Sequence, residues 1–144
     1  MVENKDQESQ LLEVHRSHLI ELKDDIKEKI FKSLGPLAET WAGVKLLPTS
    51  VFGIRRYGNR SALISHLDKP WSHVISAILN IGQEVEEDWP LFIKDHVGGS
   101  HRLVLQPGEM LWYESARLVH GRRVVEEGIL SSAWQCRHLQ QYHH

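Results

Sequence analysis

The run Ile54-Arg55-Arg56-Tyr57-Gly58-Asn59-Arg60 followed by Ser61-Ala62-Leu63-Ile64-Ser65-His66-Leu67-Asp68 reads as two extended segments around a turn. In an extended chain, residues i and i+2 point to the same side. His66 and Asp68 can therefore face one metal ion while Leu67 packs behind them. A second imidazole, His120 in Arg117-Leu118-Val119-His120, comes from a distant apolar segment. Two imidazoles and one carboxylate hold one triangular face of an iron ion and leave the opposite positions open for oxygen and a chelating co-substrate. With ten histidines in 144 residues, His-x-Asp alone is a weak signal, about 0.4 being expected by chance. The surrounding pattern has to carry the reading.

From Leu46 onward that pattern is short β-branched and aromatic runs broken by turn residues, the signature of an antiparallel sandwich or barrel. Eight strands are predicted, at 51–57, 61–68, 73–81, 90–95, 102–106, 110–114, 117–125 and 129–137. Ahead of them, residues 8–34 read as one amphipathic helix with Leu12, Leu19, Leu22, Ile26 and Ile30 on a shared face. Gly35-Pro36 is expected to end it, because Gly supplies a left-handed cap and Pro cannot continue the ladder. The fold class is thus mainly β with an N-terminal helix: a double-stranded β-helix, or jelly roll. Residues 1–36 would pack as a helical segment on a domain formed by residues 37–144, a single domain overall.

The stretch from Ile54 to Asp68 also resembles the prolyl 4-hydroxylase-like branch of the 2-oxoglutarate- and iron(II)-dependent dioxygenases, and the resemblance covers about residues 41–125. In that family a Tyr stands nine residues before the His of the iron motif, as Tyr57 stands before His66. Trp71-Ser72-His73-Val74-Ile75-Ser76-Ala77-Ile78-Leu79-Asn80 looks like the strand after the iron motif. Pro107-Gly108-Glu109-Met110-Leu111-Trp112-Tyr113 looks like the turn and strand before the distal His. The resemblance implies iron(II) held by His66, Asp68 and His120. It also implies 2-oxoglutarate as co-substrate, with Tyr57 donating to its distal carboxylate, and ascorbate as an accessory reductant.

The implied activity is hydroxylation of an unactivated C–H bond, with succinate and carbon dioxide as co-products. The substrate class that the analogy favours is a peptidyl proline, a small molecule being the alternative. One departure concerns the cation for the distal carboxylate: the family carries Lys or Arg about ten residues after the distal His, where this chain has Leu130. Arg122 is the favoured substitute, because it lies two residues after His120 on the same strand face and its planar fork matches a carboxylate. Arg137 on the last strand is the second candidate.

Composition narrows the remaining classes. A formal net charge of −2 gives no electrostatic case for nucleic acid or an anionic membrane. The single cysteine, Cys136, makes no intramolecular disulfide, which suits a reducing compartment. Without a leader-like start or a membrane-length apolar run, a cytoplasmic protein is expected. Structural zinc is disfavoured because such sites use several thiolates. His96 and His101 flank Val97-Gly98-Gly99-Ser100 and read as a solvated hairpin turn. His73 reads as a satisfied core or pocket-wall histidine, and Trp71, Trp112 and Trp134 as core. The competing interpretations are a buried His–Asp cluster without metal and a catalytically silent jelly-roll binding module.

Overall fold

The computed structural model describes residues 17–71, 73–123 and 130–142; within the last segment it describes the backbone and the Gln135 side chain. The elements in chain order are β1 (His18–Ile20), α1 (Asp24–Ala42), β2 (Leu46–Gly58), β3 (Leu63–His66) and β4 (Ile75–Val85). They continue with β5 (Leu91–Lys94), β6 (Ser100–Leu103), β7 (Met110–Tyr113), β8 (His120–Arg122) and β9 (Leu130–Tyr142). Two antiparallel sheets result, one ordered β1-β2-β9-β4-β7 and the other β3-β8-β5-β6. The chain crosses between them so that strands distant in sequence become neighbours, and this interleaving is the jelly-roll topology. Each of the eight expected strands has its counterpart from β2 to β9. β1, a three-residue edge strand pairing with Ile54–Arg56 of β2, was not expected.

Burial explains why β4 reads as a nearly continuous apolar run rather than an alternating one. Ile75, Ser76, Ala77, Ile78 and Asn80 are all buried, because both faces of the strand are covered. On one side Ile75 packs with Val74, Leu46 and Ala38 of the helix. On the other, Ile78 packs with Leu91, Ile93 and Tyr113 between the sheets. The turn before β7 follows from Pro107-Gly108: the Glu109 amide donates to the Gln106 carbonyl at 3.0 Å, and Gly108 takes φ +88°. This is the conformation for which Pro then Gly are selected. Asn80 pins that turn to β4, accepting from the Gly108 amide at 2.7 Å and donating its side-chain amide to the Leu105 carbonyl at 2.8 Å.

The helix corrects the sequence reading. Positions 8–16 lie outside the described residues, Leu19 belongs to β1, and α1 runs from Asp24 straight through Gly35-Pro36 to Ala42. A proline inside a helix removes one hydrogen bond and costs about 3 kcal/mol. Two effects offset this. Gly35 has no Cβ to clash with the proline ring, and the turns beyond Pro36 bury Ala38 completely and pack Ala42 against the core cluster that Ala38 forms with Leu46, Val74 and Ile75. The stop comes instead at Gly43, at φ +72°, whose amide donates to the Glu39 carbonyl at 2.8 Å, a left-handed cap. Among the described residues no helix is long and apolar enough to cross a membrane.

Candidate metal centre

β3 and β8 pair antiparallel with Leu63 opposite Arg122 and His66 opposite His120. Regular pairing from the first of these would set Ser65, not His66, opposite His120. A bulge of one extra residue in β3 therefore turns His66 to face His120 directly. Gly121 makes it possible: a Cβ there would lie 2.8 Å from the Leu63 carbonyl oxygen and 2.9 Å from the Ser65 backbone. The two imidazole rings end with centroids 4.4 Å apart, and Tyr113 packs edge-on against His120 at 4.9 Å.

Asp68 lies just past the end of β3. Its amide donates to the Ser115 carbonyl at 2.9 Å, and Ser115 is itself fixed by a buried Ser76–Ser115 hydroxyl contact of 2.6 Å. The carboxylate is buried, with Oδ1 3.1 Å from His66 Nε2 and 3.6 Å from His120 Nε2. One donor atom from each of the three residues lies within 4.8 Å of the others. Leu67 does not pack behind them as expected; it lies past the end of β3 and is 49% exposed.

The hydrogen-bond roles decide what this cluster can hold. His66 Nδ1 contacts the Ile64 carbonyl at 2.7 Å, and His120 Nδ1 contacts the Leu118 carbonyl at 2.8 Å. A carbonyl oxygen only accepts, so each Nδ1 carries the proton, and in neutral imidazole Nε2 is then a lone pair. Both lone pairs face Asp68 Oδ1. Such an arrangement is repulsive until a proton or a metal cation lies among the three donors. Donor atoms in neighbouring positions about 2.1 Å from an octahedral ion stand about 3 Å apart, which the Asp68 contacts approach. The donor set fits iron(II), the ion associated with two histidines and one carboxylate.

His73 approaches from the other side of Asp68, its Nε2 3.1 Å from Oδ2. Half-buried and paired with a carboxylate, it is a satisfied histidine outside the ligand triad, as the sequence reading expected. Trp71, by contrast, is 70% exposed rather than core, with Lys69 Nζ 5.6 Å from its ring.

The second group of expected site residues gathers inside the sandwich. Tyr57 is buried and packs edge-on against Trp89, with centroids 5.1 Å apart. Arg122 is buried, its guanidinium 4.6 Å from the same Trp89 ring. Arg122 donates one terminal nitrogen to the Trp89 carbonyl at 2.7 Å and the other to Gln135 Oε1 at 3.0 Å. Sequence reasoning missed Trp89 and Gln135. Trp89 follows the acidic run Glu86-Glu87-Asp88 and precedes Pro90, a context without periodicity, and no motif in the sequence around Gln135 singles it out. Arg137 pairs with Ile78 through the β9 backbone; its side chain lies outside the described residues. Arg123 points away from Arg122, exposed above the Phe92 ring at 4.4 Å.

The hairpin between β5 and β6 is a turn, and its histidines have carboxylate partners. His101 Nε2 meets Asp95 Oδ2 at 2.8 Å, and His96 pairs with Glu114. Asp95 also accepts from the amides of Val97 and Gly99. The His101 contact first, then the Gly99 amide, hold its carboxyl below the ordinary value of 3.8.

No protein-family model matches the chain, and no curated protein matches it. Solved structures do. A prolyl-4-hydroxylase from Pseudomonas putida superposes with TM-score 0.63 at 12% identity, over 89% of this chain and 72% of that one. An oxidoreductase of the 2OG-Fe(II) oxygenase family from Burkholderia pseudomallei gives 0.66 at 16%, over 92% and 66%. AviO1 from Streptomyces viridochromogenes gives 0.60 at 14%, over 76% and 57%. The chain therefore spans between 57% and 72% of the length of these three proteins. At such identities the likeness is one of fold alone: the two-sheet jelly roll described above.

Proposed function

We propose that this chain, built on the fold of the 2-oxoglutarate and iron(II) dioxygenases, is itself such an enzyme and hydroxylates an unactivated C–H bond. The observation that carries the reading is the pair of Nε2 lone pairs on His66 and His120 converging on Asp68 Oδ1. These three residues would hold iron(II). Bound iron, with 2-oxoglutarate and dioxygen, supplies the oxidising power for hydroxylation, with succinate and carbon dioxide as co-products.

The chain's own contribution is positioning. Backbone carbonyls fix both imidazoles in the ligating tautomer. Arg122 and the Tyr57 hydroxyl would hold the distal carboxylate of 2-oxoglutarate. This assignment is supported by the buried guanidinium two residues from His120 and by the shared contact of both side chains with Trp89. The Trp89 carbonyl and Gln135 aim the fork before any ligand arrives. A peptidyl proline is the proposed substrate, on the likeness to the Pseudomonas prolyl-4-hydroxylase.

The test is addition of iron(II) and 2-oxoglutarate without oxygen to the purified protein. A visible charge-transfer band that Asp68→Ala lacks supports the cofactor pair. Absence of the band from folded protein favours a silent binding module instead. Proline-containing peptides are then assayed for succinate release beside small-molecule candidates.

A further inference from the structure

The two oxygens of Asp68 have different partners. Oδ1 faces the Nε2 atoms of His66 and His120, whereas Oδ2 faces His73 Nε2 at 3.1 Å. His73 is brought there by a closed turn, in which its amide donates to the Lys69 carbonyl at 3.1 Å. The contact is shielded, with the Asp68 side chain 5% and the His73 side chain 15% exposed, so water competes weakly for either group.

A free carboxylate can present both oxygens to a cation and take two coordination positions. A carboxylate whose second oxygen accepts an N–H bond takes one. We infer that His73 is a positioning residue that ties down Asp68 Oδ2, so that Asp68 binds the metal through Oδ1 alone and three positions stay exchangeable. This rests on the metal-site reading above. It assigns to His73, which lies outside the ligand triad, control over how many sites the co-substrate and oxygen can occupy.

Manganese(II) tests this, because water-proton relaxation reports exchangeable waters on the bound ion independently of turnover. In His73→Ala, Asp68 is released to bind through both oxygens, and the relaxation enhancement per bound ion should fall by about a third as three open positions become two. Affinity should change by about 10- to 100-fold, the usual effect of an outer partner of a ligand. His73→Gln, whose amide can still donate to Oδ2, should restore the enhancement.

Unchanged enhancement per bound ion in folded His73→Ala would overturn the inference whatever the affinity, as would a His73→Gln protein that behaves like His73→Ala. If His73→Ala loses its cooperative thermal transition, His73→Gln decides alone: wild-type enhancement supports the inference and reduced enhancement overturns it. Equal manganese binding by the wild type and Asp68→Ala is a separate failure, that of the metal site itself.

Discussion

The ligand cluster on β3 and β8 and the Tyr57–Trp89–Arg122–Gln135 cluster inside the sandwich are built by different means. In the first, backbone geometry does most of the placing: one bulge, one glycine and two carbonyl contacts aim His66 and His120 at Asp68. In the second, residues from four separate parts of the chain meet through ring contacts and hydrogen bonds made by their side chains, and Arg122 is held by the Trp89 backbone carbonyl 33 residues away and the Gln135 side-chain amide 13 residues away. A site specified by backbone register is sensitive to any added bulk between strands. A site specified by mutual side-chain contact is sensitive to loss of any one member.

Asp68→Ala is the largest expected break. It removes the only carboxylate of the triad, and iron(II) affinity should fall by about two orders of magnitude or more, read by anaerobic titration. The thermal transition should survive, because the side chain supports the cluster rather than the apolar core.

Arg122→Ala comes next and addresses the other cluster. It leaves the Trp89 carbonyl and Gln135 without their donor in a buried place. The apparent Michaelis constant for 2-oxoglutarate should rise about 10- to 100-fold, with metal affinity nearly unchanged. Arg122→Lys should rescue poorly, since one ammonium cannot reproduce the fork. If Arg137→Ala raises that constant and Arg122→Ala does not, the anchor is Arg137.

Gly121→Ala sharpens the contrast. A Cβ 2.8 Å from the Leu63 carbonyl must push β8 from β3, at about 1–3 kcal/mol of stability by urea unfolding. Metal affinity should drop while 2-oxoglutarate recognition by an already loaded protein changes less. Equal effects on both would mean that the two clusters are not built independently.

The smallest effect belongs to the β5–β6 turn. Asp95 has its carboxyl held below 3.8 by His101 and the turn amides. Its contribution is therefore complete above that ordinary value and is lost as pH falls through the lowered one. Amide exchange at Val97 and Gly99, relative to the β4 core, should accelerate only in that acidic window. His101→Ala should move the onset toward the ordinary value.

Much of this was legible along the chain because it depends on neighbours in sequence. Pro107-Gly108 specifies its turn through one restricted and one permissive residue. Alternation around Leu63–Asp68 and Leu118–Arg122 marks strands with polar groups on one face, and the spacing of Tyr57 from His66 pointed to a known family of folds. The helix was misplaced because a Gly-Pro pair is a strong local stop signal, and burial of Ala38 with packing of the partly buried Ala42 against the same core outweighs it.

By itself the sequence determined the strand pattern, the His-x-Asp pair with its distal histidine, and an arginine two residues after that histidine on the same strand face. These follow from backbone periodicity, which two or three consecutive residues already express. Only the tertiary structure decided that a bulge opposite Gly121 sets His66 against His120, that Trp89 and Gln135 orient Arg122, and that His73 meets Asp68 Oδ2. Those are matters of which strands become neighbours and in what register. Long-range packing fixes them, and no local window of residues contains that information.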